Sequence, residues 1–255
     1  MERQIGQVRI GRRIYDRGGK YVDPTYPGFT QIICLTKSTA YGSLGPYELR
    51  DEKGRVMENI YQASKIYANI PAACESRSRY DKTIIWQYPA EKHAIKNGDN
   101  LEVLPAYMRW RKSLMQAKEA IRYPVGFNHR HQCLGAFAED DEGKIIPELL
   151  GYIDGRKKIY VPLYTKLVRD KPQFVELKQR ILRGESVNLV EVDGPHQESL
   201  EYYREKYGVE DNFIEGDTIL ATPANLKLLL NDPKHPFGHG YVLAAALLEI
   251  DLLET

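Results

Sequence analysis

Four side chains with catalytic chemistry follow one another in segment 58–65. Glu58, Tyr61, Gln62 and Lys65 occupy positions i, i+3, i+4 and i+7, so a helix places them on one face. A carboxylate acts as a general base or stabilises a developing cation. A lysine clamps an anion or, with a lowered pKa, attacks an aldehyde-like carbon. The spacing predicts a polar groove, and its alternative is a solvated helix face.

A second candidate site follows a segment typical of a buried strand, 187–193. Asp193 ends this segment, and a Gly-Pro turn then presents His196 and Gln197. Polar residues directly after a strand commonly build a site, because loops carry function on a rigid scaffold. The pattern predicts a second acid and two substrate contacts, unless Asp193 only caps the turn.

A third candidate is the glycine-containing turn before the last predicted helix. Gly238, His239 and Gly240 precede an apolar segment, and glycines beside a helix N-terminus expose N–H groups that favour phosphate. The turn has neither the Walker A order nor the Gly-x-Gly-x-x-Gly fingerprint. We expect it to bind phosphate, and the alternative is an ordinary loop and N-cap.

Metal and serine-hydrolase chemistry are poorly supported. His235 and His239 lie four residues apart, but Pro236 between them argues against a shared helix face. There is no Cys-x-x-Cys, no His-Glu-x-x-His and no Gly-x-Ser-x-Gly motif. We therefore expect no metal and no other cofactor.

Basic residues concentrate in the first half of the chain. Residues 1–133 carry a net charge of +9 and the remainder −8, within a total of +1. Arginines interleaved with aromatic residues are typical of surfaces that contact phosphates and stack bases, although solubilising charge is the alternative. The candidate nucleic-acid contacts are Arg12, Arg13, Arg77, Arg79, Arg109 and Arg111.

Hydrophobic periodicity predicts an α+β fold that is mainly helical, with a few short strands. Helices are predicted over 57–68, 107–120, 173–182, 198–206 and 241–253, and strands at 31–36, 187–193 and the start of 218–230. We expect residues 1–30 to form a basic arm or hairpin and residues 31–255 a single catalytic domain.

Composition excludes several classes of protein. The chain has 255 residues, of which 42% are hydrophobic and 28% charged, as in ordinary globular proteins. No apolar run approaches the roughly 18 residues of a membrane span, and no apolar signal region follows Met1. Three widely separated cysteines indicate a reducing, cytoplasmic setting.

Over residues 44–250 the sequence resembles the NADAR family. The family's first signature has a Glu, a polar residue and then aromatic-Gln-Ala-x-Lys, and it is matched here by Glu58, Asn59, Tyr61, Gln62, Ala63 and Lys65. The family's central Trp and Met, late strand and leucine-rich last helix are similar to Trp110, Met115, 189–193 and 243–249.

This chain also departs from the family pattern at three places. Residues 193–198 replace a Trp-Gly-x-Gly turn, an insertion spans 202–230, and Tyr241 stands where an Asn is expected. Together with the basic N-terminal segment, these differences indicate a distinct branch.

The resemblance implies an N-glycosidase. Members of the family act on ADP-ribose-linked substrates, including ADP-ribosylated guanine, or on ribosylamine intermediates of riboflavin synthesis. It implies that Glu58 stabilises an oxocarbenium-like state or activates water, and that Lys65 clamps a phosphate or traps the ribose aldehyde. It also implies that Asp193 is a second acid and that Trp110 contacts sugar or base together with Tyr61 and Gln62.

We expect the substrate to be a modified nucleobase or protein from which ADP-ribose is removed. One alternative is a DNA N-glycosylase that uses the basic half to bind DNA. A second alternative is a non-catalytic protein that binds ADP-ribose or a nucleotide. No membrane partner is expected for any of the three.

Overall fold

The chain divides into two compact units in a computed structural model. The sheet unit comprises residues 1–45 and 164–255, and the hairpin unit comprises residues 46–163. The structure describes residues 5–16, 18–35, 40–75, 85–98 and 100–254. In these ranges, no helix combines the length and the apolar character needed to cross a membrane.

The secondary structure confirms the predicted α+β class. Helices account for 37% of residues and strands for 21%. The strands are β1 (Val8–Arg12), β2 (Ile14–Tyr15), β3 (Tyr21–Val22), β4 (Thr30–Ile33), β5 (Lys65–Tyr67), β6 (Asn69–Ile70), β7 (Ala73–Glu75), β8 (Ile85–Gln87), β9 (Glu91–Lys92), β10 (Ala94–Asn97), β11 (Asn100–Val103), β12 (Cys133–Ala136), β13 (Val187–Glu191) and β14 (Thr218–Leu220). The helices are α1 (Met57–Ser64), α2 (Pro105–Met115), α3 (Tyr152–Gly155), α4 (Val161–Val168), α5 (Pro172–Leu182), α6 (Leu200–Tyr207), α7 (Pro223–Asn231) and α8 (His239–Leu247).

The sheet unit is built around a mixed four-stranded sheet with the order β14-β1-β13-β4. Strands β1, β13 and β4 run parallel to one another, and β14 runs antiparallel to β1. All five residues of β13 are buried, as expected for an inner parallel strand whose two faces are covered. The carboxyl ends of the three parallel strands therefore share one edge of the sheet, where open α/β sheets bind ligands.

The basic segment 1–30 belongs partly to this sheet. Its strand β1 lies inside the sheet, with Ile10 paired to Leu189 on one side and Ile219 on the other. Strands β2 and β3 pair as a small antiparallel hairpin. Buried Val8 and Ile10 explain why this strand joins the sheet rather than remaining an arm.

Helix α8 covers the sheet. All nine of its residues are buried, and it packs against β1 and β13. A helix that is apolar on every side is stable only when it is enclosed, because each side would otherwise expose apolar area to water. This helix fixes the position of the Gly238–Gly240 segment at its start.

The hairpin unit packs α1 against α2 over a hydrophobic core. Ile60 and Ala63 of α1 meet Tyr107, Trp110 and Leu114 of α2 in this core. Strand β5 pairs with β12, and the remaining strands form the pairs β6–β9, β7–β8 and β10–β11. The α1–β5 junction, which carries the candidate catalytic residues, is therefore anchored on both sides.

Helix α1 is shorter than the sequence predicts. It ends at Ser64 instead of continuing to residue 68, and Lys65 adopts an extended backbone with φ −74° and ψ 142°. The segment Lys65–Tyr67 pairs with β12, almost seventy residues later, and this remote pairing overrides the local helical pattern. The placement of Lys65 on a helical face was therefore wrong.

Candidate functional site

A chain of hydrogen bonds links the three main polar residues at the end of α1. Gln62 donates from Nε2 to Glu58 Oε1 at 2.8 Å, and its Oε1 accepts a hydrogen bond from Lys65 Nζ at 3.0 Å. The Lys65 ammonium also lies 4.4 Å from the centre of the Tyr61 ring. All four residues of the predicted polar groove are thus together, although Lys65 reaches the group from a strand.

The local structure at the end of α1 explains why the Lys65 side chain contacts Gln62. Helix α1 begins where the Met57 N–H donates to the Leu49 carbonyl, and it ends where the Ser64 hydroxyl donates to the Tyr61 carbonyl. The chain then turns into β5, so the first strand residue stands beside the last helical turn. One helical turn separates Glu58 from Gln62, which lets the amide bridge the carboxylate and the ammonium.

Burial shapes the electrostatics of this group. Glu58 is only 7% exposed. Burial lowers the pKa of Lys65, and the nearby negative charge of Glu58 opposes that shift. Burial likewise raises the pKa of the Tyr61 phenol, which remains a neutral hydroxyl at physiological pH. The arrangement holds one carboxylate and one amine in surroundings where their charges act strongly.

A π-helical turn, Arg156–Tyr160, adds residues that the sequence analysis did not assign to the site. Arg156 is 2% exposed; its guanidinium lies 4.1 Å from the Tyr152 ring centre and donates to the Tyr152 hydroxyl at 2.7 Å. The Tyr160 ring packs 4.8 Å from the Tyr61 ring, and the charge of Arg156 acts on Tyr61. Such π-helical turns frequently occur at functional sites. The sequence signal for this group was the i, i+4 spacing of Tyr152 and Arg156.

Trp110 does not belong to this group. It is fully buried in the hydrophobic core, where its ring stacks on Tyr107 and meets Trp86 edge-on. Its prediction as a substrate contact is wrong, because an apolar helix face carries it inward toward α1.

The two predicted nucleic-acid contacts of the hairpin unit that lie among the described residues are both engaged by other side chains. Arg111 is buried: it donates to the Ala63 and Phe137 carbonyls and lies 3.1 Å from Glu139. Arg111 therefore stabilises the interior of the unit and is not available for the predicted contact with nucleic acid. Arg109 is exposed and pairs with Glu91 at 3.2 Å. Arg77 and Arg79 lie outside the described residues.

In the sheet unit, an ion pair that the sequence analysis did not foresee lies at the carboxyl end of β13. His239 Nδ1 is 3.1 Å from Glu191 Oε2, and its Nε2 lies 2.8 Å from the Cys34 carbonyl oxygen. Burial alone would lower the pKa of His239, but Glu191 and the Cys34 carbonyl outweigh it and raise that pKa. The arrangement favours an imidazolium, whose charge lies beside the Glu191 carboxylate.

The Gly238–Gly240 segment binds the carboxylate of Glu191. Gly240 N–H donates to Glu191 Oε1 at 3.1 Å, and a Cβ on Gly238 would lie 2.4 Å from the same oxygen. His239 is 8% exposed. The expected phosphate loop is therefore corrected, since the carboxylate of Glu191 occupies the start of α8 and repels a second anion. The Gly-His-Gly spacing correctly indicated an anion-binding segment, but the bound anion is the side chain of Glu191 and not a phosphate ligand.

The turn after β13 places the other predicted residues of the sheet unit. His196 Nδ1 accepts from the Glu198 N–H at 3.2 Å, and Gln197 Oε1 accepts from the Gly216 N–H at 2.9 Å. Asp193 is partly buried, and its charge acts on His239 and Tyr241. A hydrogen bond thus connects the turn to the segment 215–218.

The two N-terminal arginines differ in their surroundings. Arg13 forms a two-pronged ion pair with Asp23, which engages the guanidinium that was expected to contact nucleic acid. Arg12 instead lines a small pocket together with His196 and the Gly194-Pro195 turn. The pocket lies at the shared carboxyl edge of β1 and β13.

Comparison with known proteins adds no relative. No protein family, no curated protein and no solved structure matches this chain. The resemblance to the NADAR family therefore remains a prediction. Among the described residues, no three His, Cys, Asp or Glu side chains are grouped as a metal site requires.

Proposed function

We propose that this chain hydrolyses an N-glycosidic bond at a ribosyl carbon, with Glu58 as the catalytic carboxylate. The observation that carries the proposal is the Glu58–Gln62–Lys65 chain, in which a buried carboxylate and an amine are joined by one amide. The family resemblance of the same residues supports it independently of their geometry.

The reaction breaks the bond between C1′ and the leaving nitrogen. The bonding electrons move to that nitrogen, which takes up a proton from the solvent, and an oxocarbenium-like centre develops at C1′. Glu58 stabilises this positive charge and accepts a proton from the attacking water, whose oxygen becomes the new C1′ hydroxyl. Gln62 holds the Glu58 oxygen in position.

We propose that the leaving group is a modified nucleobase or a protein side chain, and that the sugar belongs to ADP-ribose. Arg156 supports this choice, because a buried guanidinium close to Tyr61 suits a phosphate-bearing sugar. The aromatic rings of Tyr61 and Tyr160 provide a face on which a sugar or base packs.

A cytoplasmic setting is part of the same proposal. Cys34 and Cys133 are both thiols in the structure, and the Cys34 thiol is buried. Thiols of this kind are usual in a reducing compartment.

A product assay tests the proposal. The full chain is incubated with ADP-ribosylated guanine DNA, ADP-ribosyl protein and DNA carrying modified bases, and the products are identified by mass spectrometry. Appearance of ADP-ribose is the expected result. A released base with an abasic strand would instead indicate a DNA N-glycosylase, and ADP-ribose binding without any product would indicate a binding protein.

Glu58→Gln separates catalysis from binding. We expect a loss of about 100- to 1,000-fold in kcat with little change in the melting temperature, because the amide keeps the shape but not the charge. Glu48→Gln is the matched control, since Glu48 is an exposed carboxylate of the same unit. Full activity of Glu58→Gln would refute the assignment of Glu58.

A further inference from the structure

A small pocket in the sheet unit has a lining that the N-glycosidase proposal does not use. Arg12, which ends β1, lines it together with the Gly194–His196 turn that follows β13. Its other lining residues are Ser199, Tyr203, His235, Pro236 and Tyr241. The pocket therefore opens at the carboxyl ends of two adjacent parallel strands, where sheets of this type bind ligands.

Arg12 supplies the positive charge of this pocket. Its guanidinium forms no hydrogen bond or ion pair with any residue that the structure describes, and its charge acts on the Tyr241 hydroxyl. The neighbouring Arg13, by contrast, forms an ion pair with Asp23. A partly buried arginine suits the two-pronged recognition of a phosphate.

His196 supplies a hydrogen-bond donor. Its Nδ1 accepts from the Glu198 N–H, which places the ring proton of the neutral imidazole on Nε2. Asp217 Oδ1 lies 3.7 Å from Nδ1 and is already bonded to the Gln197 N–H at 2.7 Å. These contacts hold the ring in one orientation at the pocket wall.

His235 is held by a buried carboxylate. Its Nδ1 lies 2.7 Å from Asp232 Oδ2, and Asp232 also accepts from the hydroxyls of Tyr202, Tyr203 and Tyr207. These hydroxyls and Lys206, 3.8 Å away, offset the Asp232 charge. Asp232 is therefore a positioning residue that fixes the His235 ring.

We propose that this pocket binds a phosphate group through Arg12, His196 and His235. Ser199, Tyr203 and Tyr241 also line the pocket. The pocket is too small to enclose a whole nucleotide. The phosphate belongs either to a small ribosyl or nucleotide molecule or to the end of a nucleic-acid strand.

The proposal does not rest on N-glycosidase activity, because every residue that carries it lies outside the Glu58 group. Binding is measured by isothermal titration calorimetry on the full chain. The probes are inorganic phosphate, ADP-ribose, and one short oligonucleotide with and without a 5′-phosphate. Tighter binding of ADP-ribose assigns the pocket to a small molecule, and dependence on the 5′-phosphate assigns it to a strand end.

Two variants locate the binding. Arg12→Gln removes the charge, and His196→Asn removes the Nε2 donor while keeping an acceptor for the Glu198 N–H, since Asn is a good N-cap. Each is expected to weaken phosphate binding at least about tenfold. Arg183→Ala, an exposed arginine that precedes β13, is the charge-matched control and is expected to bind as the wild type does.

Histidine ¹⁵N spectra supply a second readout. The ring signals of His196 and His235 are expected to shift with phosphate, and these shifts should disappear in Arg12→Gln. The proposal is overturned if no probe binds, or if folded Arg12→Gln and His196→Asn bind phosphate as tightly as Arg183→Ala.

Discussion

His239 and Glu191 form an ion pair inside the sheet unit, with Nδ1 and Oε2 3.1 Å apart. Glu191 is fully buried at the end of β13, and the second ring nitrogen of His239 faces the Cys34 carbonyl. Forty-eight residues separate the pair along the chain, and α8 brings the histidine to the sheet edge. The pair therefore couples the protonation of one side chain to the packing of the last helix.

The pair predicts a loss of stability at alkaline pH. The folded-state pKa of His239 lies above the unfolded value of about 6.5, so the folded chain binds more protons between these two values. The stabilisation is complete below about pH 6.5 and is lost as the pH rises through the folded-state pKa. Urea unfolding across the pH range from neutral to alkaline measures this decline.

His239→Gln provides the comparison for that measurement. It leaves Glu191 buried without a cation, so the free energy of unfolding at neutral pH is expected to fall by about 3–5 kcal/mol. The difference from wild type should shrink as the pH rises. A difference that is constant over the whole range would contradict the assigned role of the His239 proton.

Gly238→Ala is predicted to destabilise the protein through contact with the same carboxylate. The new Cβ would meet Glu191 Oε1 at 2.4 Å, although the backbone φ of −79° is allowed for alanine. We expect a loss of about 1–3 kcal/mol in the free energy of unfolding. Gly151→Ala is a matched control, because Gly151 also precedes a helix and its Cβ would lie 3.7 Å from the nearest atom. Equal effects of the two changes would rule out the steric explanation.

Elements whose signals are local were predictable from the sequence. Pro172 marks the first residue of α5, and the apolar run before Asp193 predicts β13 within two residues of its observed end. Proline is preorganised for the first turn of a helix, and a buried parallel strand is apolar on both faces. These signals depend on neighbours in the chain only.

The errors arise where a remote residue decides the outcome. Lys65 continues a helical pattern but pairs with β12 instead, and Arg111 is buried because Glu139 lies beside it in the fold. Glu191 was overlooked in favour of Asp193, since only the approach of α8 shows which acid is enclosed. Neither burial nor pairing over such separations can be read from local spacing.

His93 predicts a separate loss of stability in acid. The side chain is fully buried between the Trp110 and Tyr107 rings, and neither ring nitrogen has a hydrogen-bond partner among the described residues. Burial lowers the pKa of His93 to about 4, against the favourable charge of Glu91. The unfolded chain therefore binds an extra proton between about pH 6.5 and 4, which costs up to about 3 kcal/mol.

The His93→Phe variant isolates this effect. It removes the titrating group and retains a ring in the same core position, so stability should fall less steeply than in wild type from pH 6.5 to 4. His93 changes the stability below about pH 6.5 and His239 changes it above that pH, so one pH titration distinguishes the two histidines. Parallel stability curves for variant and wild type would show that the pKa of His93 is the same in the folded and unfolded states.

The contacts of Lys65 predict an electrostatic role rather than a covalent one. Its Nζ donates to Gln62 Oε1 and lies over the Tyr61 ring, and both contacts favour an ammonium. If the N-glycosidase proposal holds, Lys65→Arg should retain activity within about tenfold of wild type, because it keeps the charge. Lys65→Met should lose about 100-fold, since the anionic substrate and Glu58 lose their cation.

Borohydride treatment during turnover distinguishes the two roles directly. An imine between Lys65 and the ribose aldehyde would be reduced to a stable amine, and mass spectrometry would find the sugar on the peptide that contains Lys65. We expect no such adduct, because a nitrogen engaged as an ammonium has no lone pair for attack. An adduct that is absent from Lys65→Arg would instead establish covalent catalysis and assign the lowered pKa of Lys65 to nucleophile activation.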